Sequence, residues 1–336
     1  MTAFLPPLAY LALVAFVAAR RGRGGRPTML DMCVTYAPGV FWLLPLAWLV
    51  PLAMRNASPC ALLLGIMGAG AVLLGLMGPS VGPSAPSTRD GPRLRVATFN
   101  LFGGSLDIHR CLAFLVKTQA DVVFLQEAWW TFAHHHTADI TLPAIEAAFA
   151  GWYVFRSDDA HEMMIISRLP LHEPREVRLN GRPCLTATIE TTVGEVRIIN
   201  VHLDPPATGR RIRESGKPPV TFLLETEAIR RRQGEALATL VREGELPTVL
   251  AGDFNAPPFA RARLAVTPLL TDAFAVAGRG YGHTFPRVLP MWRIDYVLIS
   301  AHWTAERCAV GRVGGSDHLP LVADLRLTRP ALRGRG

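Results

Sequence analysis

Cysteine is scarce in this 336-residue chain and nowhere paired: Cys33, Cys60, Cys111, Cys184 and Cys308 are scattered, with no CxxC between them. That spacing excludes a zinc knuckle, supplies no disulfide framework and leaves the redox compartment open. Lysine is nearly missing as well, with Lys117 and Lys217 alone, so almost every basic residue is arginine. Acidic residues are rare at the start: residues 1–92 hold Asp31 and Asp90 against six arginines, which leaves 29 basic and 25 acidic residues beyond. So mild an excess excludes a strong electrostatic footprint for nucleic acid. No internal repeat is present.

Charge is absent from three apolar runs, Ala3 to Ala19, Ala37 to Met54 and Cys60 to Met77. Each has about 17 to 18 residues, close to the length that crosses a hydrocarbon core. No charge precedes the first run, whereas "RRGRGGR" follows it, which is the reverse of a cleaved signal peptide. The expectation is a membrane anchor over residues 1–78 with about three transmembrane helices, in a multi-pass protein of a bacterial inner membrane. By the positive-inside rule Arg20, Arg21, Arg23 and Arg26 face the cytoplasm, and three crossings return the chain there; losing one span reverses the side. Residues 79–92, "PSVGPSAPSTRDGP", have no periodic apolar face and read as a flexible linker of about 20 Å typical span. A domain then fills 93–328, and 329–336 form a basic tail.

Beyond Arg93 come short β-branched runs separated by Gly and Pro: "LRVATFNLF", "DVVFLQEA", "MMIISRL", "LTATIETT", "EVRIINVHLD", "TVLAGDFN", "RIDYVLIS" and "LPLVADLRL". Helical patterns occur in "LDIHRCLAFLVKTQ", "LPAIEAAFA" and "FLLETEAIRRRQGEALATLVREG". Many strands and few helices predict an α/β domain built on stacked sheets.

Polar residues stand where the apolar runs stop. Asn100 shares a face with Val96 and Thr98 by the two-residue period, and Glu127, His202 and the pair Asp253 and Asn255 close their own runs. Asp295 interrupts a run, and Asp317 with His318 precedes the last strand. Any one of these reads most simply as a turn or cap residue. Together they supply the groups for metal-assisted phosphoester hydrolysis: carboxylate and amide oxygens for a hard divalent cation, and two histidines with a carboxylate behind one of them.

The blocks "TFNLF", "FLQEA", "NVHLD", "AGDFNAPP", "RIDYVLIS" and "SDHLPLVADL" resemble the endonuclease/exonuclease/phosphatase superfamily, the fold of deoxyribonuclease I, over about Arg93 to Leu327. The resemblance implies a four-layered α/β/β/α sandwich of two packed mixed sheets. It also implies Mg²⁺ or Mn²⁺ held by Glu127 with Asn100 and Asp317, and Asp253 as the acid that orients or deprotonates water. Asn255 matches the amide on a phosphoryl oxygen, His202 the histidine near the leaving group, and Asp295 the acid that fixes the tautomer of His318. The tyrosine that exonuclease III-type enzymes carry stands here as His202, which departs from that branch.

Other features have ordinary readings. His134, His135 and His136 point to different sides and lack ligand spacing. Trp129 and Trp130 read as packing residues, and Arg210, Arg211 and Arg213 as a solvated basic loop. The expected function is a membrane-tethered, metal-dependent phosphodiesterase or phosphatase acting on phospholipid headgroups or lipid-linked phosphates. A membrane-anchored nuclease and a catalytically silent binding module are the alternatives; no protein partner is indicated.

Overall fold

A computed structural model describes residues 5–21, 28–55, 58–82, 91–132, 135–157, 162–192, 194–207 and 209–328. His134, the tail at 329–336 and most of the linker (83–90) lie outside the described residues. The chain divides into two compact units, Met1–Pro79 and Ser80–Gly336.

In the first unit the expectation of about three transmembrane helices is corrected. Among the described residues one helix is long and apolar enough to cross a membrane, Pro59–Leu76. Ser58 caps it through Ala61 N, and it runs as an α-helix to Gly70 and as a π-helix over Ala71–Leu76. The second apolar run forms Gly39–Arg55, which opens as a 3₁₀ helix over Gly39–Leu43 and meets the preceding helix Met29–Tyr36 at 96°, so at most the bent pair adds one further span. The break falls at Ala37, extended because Pro38 follows it and disfavours a helical residue before it. The first run forms Leu5–Arg20, 16 residues or about 24 Å, short of a core about 30 Å thick. A multi-pass arrangement, and the crossing count that placed the domain in the cytoplasm, therefore lack support.

The second unit contains two six-stranded sheets. In chain order the strands are β1 (Arg93–Asn100), β2 (Val122–Gln126), β3 (Tyr153–Arg156), β4 (Met164–Ser167), β5 (Leu171–Leu179), β6 (Arg182–Thr191), β7 (Gly194–His202), β8 (Thr248–Asp253), β9 (Thr271–Asp272), β10 (Asp295–Ile299), β11 (Trp303–Val310) and β12 (Leu321–Leu327). One sheet has the order β11-β12-β1-β2-β4-β3, the other β9-β10-β8-β7-β6-β5. Both are mixed: β1 and β2 run parallel, as do β7 and β8, and every other neighbouring pair is antiparallel.

Alternation decides what each face meets. Leu94, Val96, Val122 and Phe124 of one sheet share a buried core with Leu185, Val196, Ile198, Val249 and Val297 of the other. The opposite face of the first sheet, Ala97, Phe99, Val123 and Leu125, packs with Ile108, Cys111, Leu112 and Leu115. These four recur at helical spacing in Ile108–Thr118, whose N-terminus is capped by the Asp107 carboxylate on Arg110 N. The long helix Pro219–Arg242 buries Leu237, Ala238, Leu240 and Val241. The arrangement is thus two packed mixed sheets with flanking helices. One local reading changes: Arg210, Arg211 and Arg213, expected in a loop, lie in the short helix Gly209–Glu214.

Candidate active site

Each sheet brings one parallel pair to the same edge. Asn100 ends β1 opposite Gln126, and Glu127 follows directly after β2. His202 ends β7 opposite Asp253 at the end of β8, and Asp253 in turn pairs with Asp295 at the start of β10. Parallel neighbours present their carboxyl ends together, so register places two of these side chains at the edge of each sheet, and the packing of the sheets brings the four together.

The distances are those of a single cluster. Asn100 Nδ2 donates to Glu127 Oε1 and Asp253 Oδ2, both at 3.1 Å, across the two sheets. His202 Nε2 lies 3.5 Å from Glu127 Oε1 and 3.8 Å from Asp253 Oδ2. His318 Nε2 lies 3.8 Å from the same Asp253 oxygen, while its Nδ1 meets Asp295 Oδ2 at 3.0 Å. Asn255 donates its backbone N–H to Asp253 Oδ1 at 2.6 Å and its side-chain amide to Leu203 O at 3.0 Å. Asp317, unlike the others, is set apart: its carboxylate meets the Ser316 hydroxyl at 3.5 Å and bonds neither Asn100 nor Glu127 among the described residues. Asp317 and His318 lie in a turn, three residues short of β12.

The turns that carry these groups are pinned from several sides. Glu127 has φ +44, a left-handed conformation that its neighbours hold: Gly103 N–H donates to Glu127 O, and Ala128 N–H to Glu162 O. Ser316 donates its hydroxyl to Asn100 O and accepts the His318 N–H, tying the last turn to the end of β1. Arg230, fully buried, donates to Asp204 O and to Asn255 O and so bridges the turns after β7 and β8.

Electrostatics follow from burial. Asp253 is pushed up to about 7, first by loss of water and then by the Asp295 charge. For His318 burial works against protonation, but Asp295 and Asp253 outweigh it and lift the imidazole to about 10. Asp317 is raised, chiefly by burial. Asp295 Oδ1 is a buried oxygen without a hydrogen-bond partner among the described residues.

Two donor sets suit a cation differently. Asp253, Asp295 and His318 bring ligand atoms within 4.8 Å of one another, all three residues buried, but Asp295 Oδ2 is already engaged by His318. Glu127 keeps a quarter of its side chain exposed, beside the Asn100 carboxamide and Asp253. An ion that keeps several waters and takes one or two carboxylates fits the second place. The Asn100 oxygen accepts from Phe102 N–H, so ligation by Asn100 requires its carboxamide to turn.

Arg182 is a neighbour that sequence reading missed. Its Nε donates to His202 O at 2.8 Å and its Nη2 stands 3.0 Å from His202 Nδ1. The available signal was "NG" at Asn180 and Gly181, both with positive φ, a hairpin turn that opens β6 on Arg182. Trp129 is buried in the core as a packing residue, and Trp130 packs edge-on against Phe102.

A model of the Endonuclease/Exonuclease/phosphatase family matches residues 97–318. No curated protein matches the sequence. Solved structures share the fold. An endonuclease/exonuclease/phosphatase from Bacteroides vulgatus is 18% identical, covers 70% of this chain and 99% of its own, and superposes with a TM-score of 0.55. A family protein from Bacteroides thetaiotaomicron gives 18%, 71%, 99% and 0.55. A mannosyl-6-phosphatase from the same organism gives 18%, 69%, 99% and 0.52.

Proposed function

The chain belongs to the endonuclease/exonuclease/phosphatase family, and on that premise we propose that it is a Mg²⁺- or Mn²⁺-dependent phosphoester hydrolase that acts on phosphate esters at a bilayer, such as phospholipid headgroups or lipid-linked phosphates. The observation that carries the reaction class is the convergence of Asn100, Glu127, His202, Asp253 and His318 within hydrogen-bonding or near-contact distance from two different sheets. The mannosyl-6-phosphatase of the same fold is named for the same bond class.

Glu127 would be the principal metal ligand, joined by Asn100 once its carboxamide turns, while Asp317, the third expected ligand, stands apart in the last turn. When bound, the cation polarises a phosphoryl oxygen and offsets the charge that grows on it. Asp253 orients and deprotonates the attacking water. His318 faces the same Asp253 oxygen and exchanges a proton with it, its Nδ1–H held by Asp295 so that Nε2 is the reacting nitrogen. Asn255 uses one amide hydrogen on Leu203 O and keeps the other for a phosphoryl oxygen. His202 hydrogen-bonds the leaving or bridging oxygen.

Attachment to a bilayer is supported by Pro59–Leu76, of which only 28% is buried within the protein. The test is release of phosphate or headgroup from phospholipid vesicles, sugar phosphates, inositol phosphates and plasmid DNA, with Mg²⁺ or Mn²⁺ and with EDTA. Cleavage of lipid esters that EDTA abolishes is expected. Cleavage of DNA alone would move the substrate to nucleic acid, and no cleavage of any substrate would overturn the hydrolase reading.

A further inference from the structure

We propose that Arg182 is a positioning residue that locks His202 as the neutral tautomer with its proton on Nε2, making His202 a fixed hydrogen-bond donor; the consequence for turnover rests on the phosphoester-hydrolase reading above. A guanidinium has five donors, no acceptor, and stays protonated in proteins. Its Nη2 stands 3.0 Å from His202 Nδ1, so Nδ1 must present its lone pair. A neutral imidazole that accepts at Nδ1 carries its hydrogen on Nε2. That hydrogen points into the site, where Nε2 lies 3.5 Å from Glu127 Oε1 and 3.8 Å from Asp253 Oδ2.

Arg182 cannot easily turn away. Its Nε is bound to the carbonyl of the same histidine at 2.8 Å, and its Nη1 is 3.5 Å from Asp204 Oδ1. Asp204 is itself fixed, accepting from Gln233 Nε2 at 2.9 Å and donating its N–H to Gln233 Oε1 at 3.1 Å. The fold supplies the placement: the tight turn at Asn180 and Gly181 starts β6 on Arg182, and β6 pairs with β7 up to Cys184 and Val201, so Arg182 lies just past the end of the ladder beside His202.

His318 has the opposite arrangement. Its Nδ1 faces Asp295 Oδ2, which as a carboxylate accepts, so Nδ1 carries a hydrogen, and Nε2 faces Asp253. The two rings therefore differ at the same nitrogen: Nδ1 of His202 accepts, whereas Nδ1 of His318 donates. His202 has no free lone pair toward the substrate and cannot serve as the base; proton acceptance falls to Asp253.

The test is ¹⁵N NMR of the full chain in detergent micelles with ¹⁵N-labelled histidine, the His202 signals assigned by loss in His202→Gln. The wild type is expected to show His202 with a pyridine-like Nδ1 and a pyrrole-like Nε2. Arg182→Met is expected to release the lock, giving a mixed or Nδ1–H tautomer, with kcat down about 10- to 100-fold and little change in KM. Arg182→Lys, which keeps one donor, is expected to recover part of both. A wild-type His202 protonated on Nδ1, or an unchanged tautomer in folded Arg182→Met, overturns the proposal. The wild-type spectrum decides even if the Met variant fails to fold. An Nδ1–H His202 in an enzyme that does cleave phosphoesters removes the role of Arg182 and leaves the hydrolase reading standing, whereas the expected tautomer with no cleavage of any ester removes the hydrolase reading and leaves the lock.

Discussion

A single methyl group at Gly252 should separate the two strands on which the site depends. Gly252 precedes Asp253 in β8, lies opposite Val201 of β7 and Tyr296 of β10, and has φ +142, a conformation that side chains rarely adopt. A Cβ at this position would stand 2.0 Å from Val201 O and 2.9 Å from Val201 C and N. Comfortable non-bonded separation is about 3.5 Å, so β7 and β8 must part by roughly 1.5 Å. Strained backbone of this kind costs about 1–3 kcal/mol, and each weakened ladder hydrogen bond adds about 1 kcal/mol. Gly252→Ala is therefore expected to lose about 3 kcal/mol, which lowers the thermal midpoint by about 6–12 °C in a domain of this size. The next residue on each strand is His202 or Asp253, so their separation opens with the strands, and misplacement by about 1 Å can remove a hundredfold in rate. The assay is circular dichroism melting of the full chain in detergent, paired with turnover at a temperature where both proteins are folded. A midpoint within about 2 °C of the wild type together with turnover within about threefold would refute the steric argument.

Asp295→Asn keeps the size of the side chain but can no longer only accept from His318 Nδ1, and turnover should fall by about a thousandfold with the fold intact; a loss under tenfold, measured at substrate saturation, would argue that the pair is structural. Stability of the metal-free protein should fall as pH rises. Asp253, pushed up to about 7, binds its proton more tightly folded than unfolded, so stability declines as pH climbs from the ordinary carboxylate range through about 7. His318, lifted to about 10 against an ordinary 6.5, contributes stability fully present below 6.5 and lost as pH rises through about 10. Both act in the same direction, so thermal midpoints in EDTA should drop between neutral and alkaline pH, and less steeply in Asp295→Asn; identical slopes in the two proteins would contradict the assigned cause.

The central strands were legible in the sequence and the edges were not. All eight β-branched runs named from the sequence contain a strand. The four that escaped, β3, β5, β9 and β11, are the outermost strands of the two sheets. An edge strand needs no second apolar face and is better protected by charge or proline than by alternation. "LHEPREVRL" in β5 shows both, with Pro174 inside it and an irregular register between His172 and Arg175. "WTAERCAV" in β11 carries Glu306 and Arg307 where its register also shifts. Missing β5 meant missing the hairpin at Asn180 and Gly181, and with it Arg182. The apolar runs of the first unit misled for the opposite reason: composition measures transfer into lipid, whereas Pro38 acts on backbone geometry and sits at the 96° bend where the helix of the second run begins, which no hydropathy average contains.

Within the site, residue type was easier to read than orientation. Two-residue periodicity predicts that Asp253 and Asn255 project to the same side, which assumes that β8 continues past Asp253. It stops there, and Asn255 takes φ +49. The turn brings the Asn255 N–H onto Asp253 Oδ1 and its amide onto Leu203 O, so the same two residues close a turn and build the site. A turn residue and a catalytic residue are thus not rival descriptions of this segment. Where β8 ends, the hydrogen bond from the following turn holds one oxygen of the Asp253 carboxylate while the other faces Asn100, His202 and His318. A chain that replaced Asn255 with a residue unable to adopt left-handed backbone would lose that hold even if Asp253 were untouched, which is why the pair has to be read as one unit.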